Sequence, residues 1–316
     1  MDFNVKISDL TIGQHFEGFY ILKEAQSKTT AAGKPFLSAV FSDCSGKLPA
    51  MVWDYAGPIV GADAGKVVKV RGEVSEYKGS LQITVDKIRL TGAEDHYDVA
   101  ALVPTAPIDA DAVLREVRDL VSSIEDADYR QIASTLLNRN LEAFQSIPAA
   151  KSVHHAFLHG LLMHTAYMLR TAEFFSMLYP GVVNRSLLLT GTLLHDFKKR
   201  EEFTFSELGL VTDYSVKGQL LGHLVMGAQE IAAVAAELGI PEEKSVLLQH
   251  MVLSHHGEPE FGAAVRPMCA EAELLSYIDM IDSRMEIYKE NFESTPLGAF
   301  SERIFALDGK RIFHHN

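Results

Sequence analysis

The sequence predicts a multidomain protein in which a small all-β barrel is followed by an all-α domain. Two observations carry this prediction. Residues 12–90 contain five short segments rich in β-branched and aromatic side chains, separated by turn sequences. Residues 111–291 instead contain seven segments whose apolar side chains recur at helical spacing. With 316 residues, of which 47% are hydrophobic, the chain has enough apolar material for two cores.

The five predicted strands end at sequences that favour turns. They cover residues 18–22, 36–41, 48–53, 67–71 and 81–85, and residues 43–47 and 77–80 are typical of hairpin connections. A helical turn is predicted near residues 55–60, between the third and fourth strands. Five strands with such an insertion form the layout of an OB-fold barrel, whose exposed face commonly binds single-stranded nucleic acid. We expect this OB-fold domain to cover residues 1–92.

A nucleic-acid surface on such a barrel combines aromatic rings that stack on bases with lysines that follow the backbone. The candidates are Lys28, Lys34, Phe36, Trp53 and Tyr77. Alternate strand positions of a small barrel face inward, so packing in the core is the competing interpretation for each ring.

Residues 93–110 are predicted to be a linker, because they are acidic, contain two prolines and show weak periodicity. The α-helical domain is predicted to cover residues 111–316. Its helices are expected at residues 111–123, 129–141, 161–179, 186–195, 220–238, 242–253 and 270–291.

Charge and cysteine content exclude several classes of protein. The net charge of −13 argues against nonspecific coating of nucleic acid, although residues 1–92 hold 11 basic against 10 acidic side chains. The two cysteines lie far apart, so neither a disulfide framework nor a thiolate zinc site is indicated, and a reducing cytoplasm fits. The first ten residues are not typical of a secretion signal and no segment is apolar enough to span a bilayer, so we expect no membrane association.

Nine of the 13 histidines fall between residues 154 and 256. The pair His195-Asp196 ends the apolar run 187–194, where a buried helix has little other reason to finish with two polar groups. His164 lies upstream in an apolar helical context, and further candidates lie downstream at His223, His255, His256 and Asp279. Imidazole and carboxylate together are a common ligand set for transition metals. Hydrogen-bonded core histidines are the competing interpretation.

This order of residues resembles the HD-domain metal-dependent phosphohydrolases. The resemblance implies that His164, His195, Asp196 and Asp279 bind one cation. It also implies that His223, His255 and His256 bind a second, with the carboxylate of residue 196 bridging the two. Asp282, one helical turn further on, is the alternative ligand or a residue that orients a ligand histidine. Mn²⁺ is the favoured ion, and Fe, Co, Zn or Ni also suit such ligands.

The whole chain resembles the YhaM-type 3′-to-5′ exoribonucleases, which join an OB-fold to an HD domain. The matching stretches are residues 154–165, 193–199, 253–258, 265–268 and 271–273. Departures from the family pattern are Lys198 in place of glycine, Met163 in place of glutamate, and His159 in place of a small residue.

The resemblance implies a metal-dependent exonuclease acting on single-stranded RNA, with single-stranded DNA as a further substrate. Asp196, Lys199 and His155 are the candidate catalytic residues, and Arg266 is a candidate for binding a phosphate. His154 and His155 precede the first ligand helix and are candidates to contact a nucleotide or to protonate the leaving group. Two alternatives remain open: hydrolysis of a small or cyclic nucleotide, and a non-catalytic nucleic-acid-binding factor. Assembly into a homo-oligomer is also left open.

Overall fold

The computed structural model describes residues 2–150 and 155–315, so His154 lies outside the described residues. The chain forms two compact units, one of residues 1–105 with 206–208 and the other of residues 106–205 with 209–316. Among the described residues, no helix is long and apolar enough to cross a membrane.

The first unit is a closed β-barrel, as the five predicted strands required. Its strands are β1 (Asp2–Phe3), β2 (His15–Thr29), β3 (Pro35–Asp43), β4 (Gly46–Trp53), β5 (Val67–Tyr77) and β6 (Ser80–Leu90). They pair in the order β1-β2-β3-β4-β6-β5, and a further pairing of β2 with β5 closes the barrel. Alternate side chains fill the interior, among them Phe16, Leu22, Phe41 and Ile83. The insertion after β4 holds a 3₁₀ helix at Gly61–Asp63, somewhat later than the predicted helical turn.

The segment predicted as a linker is partly folded. Residues Val99–Leu102 form a short helix, α1, which Asp98 caps by accepting a hydrogen bond from the backbone of Ala100. The backbone N–H of Cys44 in the barrel donates to the carbonyl of Ala101 at 3.2 Å, so this helix lies against the barrel. Periodicity could not show a helix of only four residues.

The second unit is built of helices, as predicted. They are α2 (Ala110–Ser122), α3 (Ala127–Arg139), α4 (Leu141–Ser146), α5 (Gly160–Leu178), α6 (Arg185–Leu194), α7 (Lys199–Glu202), α8 (Val216–Leu238), α9 (Glu242–Ser254) and α10 (Ala270–Ser294). Side chains of Asp109, Asp126, Asn184 and Ser215 cap four of them. The largest apolar core of the unit lies between α2, α3, α5, α6, α8, α9 and α10.

One β-hairpin interrupts this helical unit and was not predicted. Strands β7 (Phe203–Phe205) and β8 (Val211–Tyr214) pair antiparallel, and Gly209 before β8 has a positive φ of 79°. The strands are only three and four residues long, too short for a period-two pattern to stand out from the flanking sequence. The hairpin therefore lies within a mainly helical unit, between α7 and α8.

Candidate metal centre

Five helices bring the predicted histidines and carboxylates to one place. His164 lies on α5, His195 and Asp196 follow α6, His223 lies on α8, His255 and His256 follow α9, and Asp279 lies on α10. Among residues 2–150 and 155–315, three groups each have their possible ligand atoms within 4.8 Å of one another: His164 with His195 and Asp196; His223 with His255 and His256; and His155 with His164 and Asp282. The sequence spacing alone could not show this convergence, since the residues span more than 100 positions.

Asp196 stands between the two histidine groups. Its Oδ2 lies 3.3 Å from His195 Nε2 and 3.8 Å from His164 Nε2. Its Oδ1 lies 3.2 Å from His223 Nε2 and 3.7 Å from His255 Nε2. Asp279 Oδ1 completes the first group at 3.4 Å from His164 Nε2. The two oxygens of one carboxylate thus face different sets of imidazoles, as a bridging ligand would.

Hydrogen bonds fix four of the histidine rings so that each Nε2 faces the cluster. The rings of His195 and His255 each donate from Nδ1 to the carbonyl three residues earlier, at 2.7 Å. His164 Nδ1 donates to Asp282 Oδ2 at 2.7 Å, and His223 Nδ1 donates to Glu202 Oε1 at 2.9 Å. A proton on Nδ1 leaves a lone pair on Nε2, which is the form that binds a cation.

A bend in α8 positions His223. Gly222 has φ of 69° inside the helix, in the left-handed region that favours glycine. The bend lets Glu202 Oε1 accept from both the backbone N–H of His223, at 3.0 Å, and its ring Nδ1. Glu202 had no signal in the sequence, because a Glu-Glu pair in a charged stretch is usually solvated.

Four polar atoms of the cluster are buried without a hydrogen-bond partner among the described residues. They are Asp196 Oδ1, His223 Nε2, His255 Nε2 and His256 Nδ1. A buried polar atom left unsatisfied costs about 1–3 kcal/mol, and four such atoms in contact with one another indicate a shared ligand. Every one of them has a lone pair to offer, so the donor set fits a divalent cation.

The pKa shifts match this interpretation. Burial, reinforced by the neighbouring imidazoles, holds the pKa of His255 well below its ordinary value and lowers that of His256 to about 4. Burial raises the pKa of Asp196, but Lys199 and His195 outweigh it and hold this pKa well below the usual range. At neutral pH these two imidazoles are therefore neutral and the carboxylate is ionised, as cation binding requires.

The pKa values of His223 and His164 are instead raised. Burial lowers the pKa of His223, but the carboxylates of Asp196 and Glu202 outweigh burial. Burial also lowers the pKa of His164, but hydrogen bonds to Asp279 and Asp282 outweigh burial and raise the pKa to about 10. Its Nε2 proton then lies between this ring and Asp279, where a cation bound by both groups would replace it.

Lys199 is part of the cluster and not a solvated surface charge. Its side chain is 14% exposed, and its Nζ lies 2.6 Å from Asp196 Oδ2. Burial lowers the pKa of Lys199, but the carboxylate of Asp196 outweighs burial and raises it. The lysine therefore keeps its positive charge beside the ligand cluster.

The position of His155 argues against the catalytic role expected from the sequence. Its side chain is fully buried, and its Nε2 donates to Asp282 Oδ2 at 2.8 Å. The same oxygen accepts from His164, so Asp282 links the two rings. The burial of His155 therefore gives no support to a contact with a leaving group. Asp279 contacts the cluster and Asp282 lies beyond His164, which favours Asp279 as the ligand of this pair.

A cleft of about 350 Å³ leads to the cluster. Lys199, His255 and Asp279 line it together with Phe261 and Met280, whose side chains are 66% and 40% exposed. Arg284 and Asp308, which form an ion pair at 3.1 Å, also line it. The sequence offered Arg284 as a partner of Asp282, whereas Phe261, Met280 and Asp308 carried no signal there.

Arg266 does not line this cleft. It is paired with Glu258 at 2.8 Å in an exposed position, so its expected contact with a phosphate beside the metals has no support from its location.

The departures from the family pattern lie beside the cluster. Lys198 is nearly buried and forms ion pairs with Glu201 and Glu230, which balance its positive charge. Met163 is buried in α5. His159 has a positive φ of 62° and its Nδ1 bonds the carbonyl of Gln145 at 2.6 Å, a structural role at the start of α5.

On the barrel, strand register places Lys28, Phe36 and Trp53 side by side across β2, β3 and β4. The rings of Phe36 and Trp53 lie 5.1 Å apart, and half of Trp53 is exposed. Lys34, in the loop before β3, lies 3.4 Å from Asp54. Tyr77 is exposed at the β5–β6 turn, with Lys78 Nζ 5.4 Å from its ring, and is not part of the row.

A nucleic-acid-binding barrel and a helical unit with a buried His-Asp cluster together define a protein of the HD class. The family model for the OB-fold nucleic acid binding domain matches residues 24–91, and that for the HD domain matches residues 162–284. The 3′-5′ exoribonuclease YhaM of Oceanobacillus iheyensis is 34% identical over 97% of this chain and 96% of its own length. The enzyme of the same name from Listeria innocua is 34% identical over 98% of each chain. The chain therefore belongs to the YhaM family of 3′-5′ exoribonucleases.

This result confirms the fold class and the kind of enzyme predicted from the sequence. Similarity along nearly the whole length does not favour the two alternatives, a hydrolase of small nucleotides and a non-catalytic binding factor. The barrel is of a type that binds single-stranded nucleic acid.

Proposed function

We propose that this chain removes nucleotides from the 3′ end of single-stranded RNA by metal-dependent hydrolysis of phosphodiester bonds. The observation that carries the proposal is the set of four buried, unsatisfied ligand atoms at the end of an open cleft. The family membership supplies the substrate class. We further propose that residues 1–92 form the RNA-binding domain, residues 93–110 connect the domains, and residues 111–316 form the catalytic domain.

Two divalent cations, with Mn²⁺ favoured, are proposed for the cluster. His164, His195 and Asp279 would hold one, and His223, His255 and His256 would hold the other, while Asp196 serves both. When bound, such ions lower the pKa of a water molecule to near neutrality and neutralise charge on the scissile phosphate.

The other residues of the site have supporting roles. Lys199 places a positive charge beside Asp196 and in the wall of the cleft, where it can bind a phosphate oxygen. Asp282 and His155 hold the ring of His164 in place. The exposed ring of Phe261 offers an apolar surface for a terminal base. A barrel that retains the strand raises the effective concentration of the 3′ end for successive cuts.

The test is degradation of 5′-labelled single-stranded RNA with Mn²⁺ present. We expect a ladder that shortens from the 3′ end, loss of activity with EDTA, and protection of RNA whose 3′ end is blocked. Parallel reactions with cyclic and linear mononucleotides and with single-stranded DNA define the substrate range. Rapid hydrolysis of mononucleotides without shortening of RNA would contradict the proposal.

A further inference from the structure

One cleft on the barrel is distinct from the row of Lys28, Phe36 and Trp53 and shares only Trp53 with it. It encloses about 550 Å³ between the end of β4 and the outer faces of β5 and β6. Four basic side chains line it, namely Lys69, Arg71, Lys87 and Arg89. None of the basic residues selected from the sequence is among them.

Two of these cations already have partners. Lys69 Nζ lies 3.0 Å from Glu17 Oε1, and Arg89 donates twice to the carboxylate of Asp95, at 2.6 and 2.7 Å. Their charges are therefore largely balanced within the barrel.

Arg71 and Lys87 are different. They lie directly opposite each other on β5 and β6, both are exposed, and neither has an ion pair among the residues that the structure describes. Glu17 lies opposite Arg71 in β2, but its carboxylate binds Lys69. Like charges facing each other across two strands destabilise a sheet, so the pair has a cost that an anion between the two side chains would remove.

A β-bulge shapes this part of the groove. The register shifts between Arg71 and Gly72, which pair with Lys87 and Val85 and leave Asp86 as the extra residue. Asp86 is exposed and also lines the cleft. Bulges change the direction of side chains. This carboxylate repels an anionic ligand. Removing its charge should therefore strengthen binding, whereas removing the charge of Arg71 or Lys87 should weaken it.

The cleft is continuous with the predicted base-stacking surface. Trp53 lines the cleft and also packs against Phe36, the next member of the row across the barrel. Tyr55 adds a second aromatic ring to the same wall. Proteins that bind single strands combine aromatic rings, on which the bases stack, with basic side chains, which bind the phosphates.

We propose that the groove between β4, β5 and β6 binds the phosphate backbone of single-stranded RNA through Arg71 and Lys87, and extends the path of the strand beyond Trp53. This inference rests on the proposed function for its ligand, and it adds a subsite that the sequence did not indicate.

The experiment measures binding of fluorescein-labelled single-stranded RNA by anisotropy, with EDTA present so that the strand stays intact. The RNA is longer than the roughly 16 nucleotides that one OB-fold covers. The full-length chain is compared with the double variant Arg71→Gln/Lys87→Gln, with Asp86→Asn, and with Arg71→Lys/Lys87→Arg. The matched control is Lys23→Gln/Lys47→Gln, which removes two exposed lysines of the barrel outside the groove.

We expect the first double variant to bind on the order of tenfold more weakly at about 100 mM salt. The slope of log K against log salt should fall by about 1.4, since each phosphate that is no longer neutralised accounts for about 0.7. Asp86→Asn should bind more tightly, and the charge-conserving variant should bind like the wild type. Equal losses in the first double variant and in the lysine control would show a general charge effect and overturn the proposal, as would unchanged binding.

Hydrolysis of an RNA of about four nucleotides, at the lower limit of what one OB-fold covers, separates this proposal from the previous one. We expect the first double variant to cleave it at the wild-type rate. If the wild type degrades no RNA, the proposed function fails. If the wild type degrades RNA and the double variant binds it normally, only the groove is refuted.

Discussion

The RNA-binding sites proposed for the two units are opposite kinds of surface. In the helical unit, the rings of His164, His195 and His255 are about 1% exposed and each is fixed by a hydrogen bond from Nδ1. On the barrel, half of Trp53 is exposed, and packing against Phe36 is its described ring contact. Chemistry at a phosphate requires fixed ligands, whereas holding a strand requires only rings and charges along a path. Substitutions should therefore be far more damaging in the first region than in the second.

The largest effect is expected for Asp196→Asn. The change removes the charge that both histidine groups share and leaves Lys199 without its partner, so bound metal and hydrolysis should fall together. Loss of several kcal/mol of electrostatic stabilisation corresponds to about three orders of magnitude in rate. Metal content by mass spectrometry and degradation of labelled RNA are the measurements. The control, His96→Ala, removes an exposed histidine and should change neither quantity.

A smaller effect is expected for Asp282→Asn. The ring of His164 would lose its charged acceptor at 2.7 Å, and outer partners of this kind are worth about 10–100-fold in metal affinity. Titration with Mn²⁺ by calorimetry measures the change, and Asp128→Asn, which weakens an ion pair with Lys244, is the matched control. Unchanged Mn²⁺ affinity would show that Asp282 does not position the ligand.

The barrel should tolerate substitution better. Trp53→Ala is expected to weaken binding of single-stranded RNA by about tenfold, within the 1–3 kcal/mol that stacking on one ring contributes. Cleavage of an RNA of about four nucleotides should be unchanged. Phe3→Ala, which removes another exposed aromatic ring of the barrel, serves as the control. If Trp53→Ala slows the short substrate as much as the long one, the contrast between the two regions is wrong.

The smallest effect concerns an ion pair away from both surfaces. Burial raises the pKa of Asp126, but hydrogen bonds from Lys244 and the start of α3 outweigh it and lower this pKa. A lowered pKa stabilises the fold above the unfolded value of about 3.9, and that stability is lost as pH falls through the folded value. Asp126→Asn should lower the free energy of unfolding by less than about 1 kcal/mol at pH 7, because the pair is partly exposed.

Urea titrations at several pH values measure this change. The difference from the wild type should be constant between pH 7 and pH 5 and should shrink below pH 4. Asp126→Ala also removes the helix cap and should lose about 1 kcal/mol more. A difference that persisted at low pH would show that charge is not the cause.

Most of the architecture followed from local patterns. The five long strands and seven longer helices were predicted because apolar side chains repeat over many residues, as in Ala270–Ser294. The hairpin β7–β8 and helix α1 were missed because each is too short to establish a period. Capping explains another shift: Ser215 starts α8 at Val216, four residues before its first strongly apolar stretch.

Some residues of the site could also be predicted from local patterns, and others could not. His195-Asp196 and His255-His256 stood out because polar pairs end apolar helices. Glu202 did not, because acidic residues in charged segments are common, and only the fold shows that this one is turned inward. The buried position of His155 could not be predicted from the sequence either. It depends on a left-handed backbone at that residue and on Asp282, 127 positions away.

The bend at Gly222 controls only one of the two histidine groups of the cluster. Residues with a side chain rarely adopt a φ near 69°, so replacing this glycine would straighten or displace the start of α8 and withdraw His223 from Glu202 and Asp196. His164, His195 and Asp279 come from other helices and would stay where they are. In the two-cation site proposed above, relatives with another residue at this position should therefore carry half the metal.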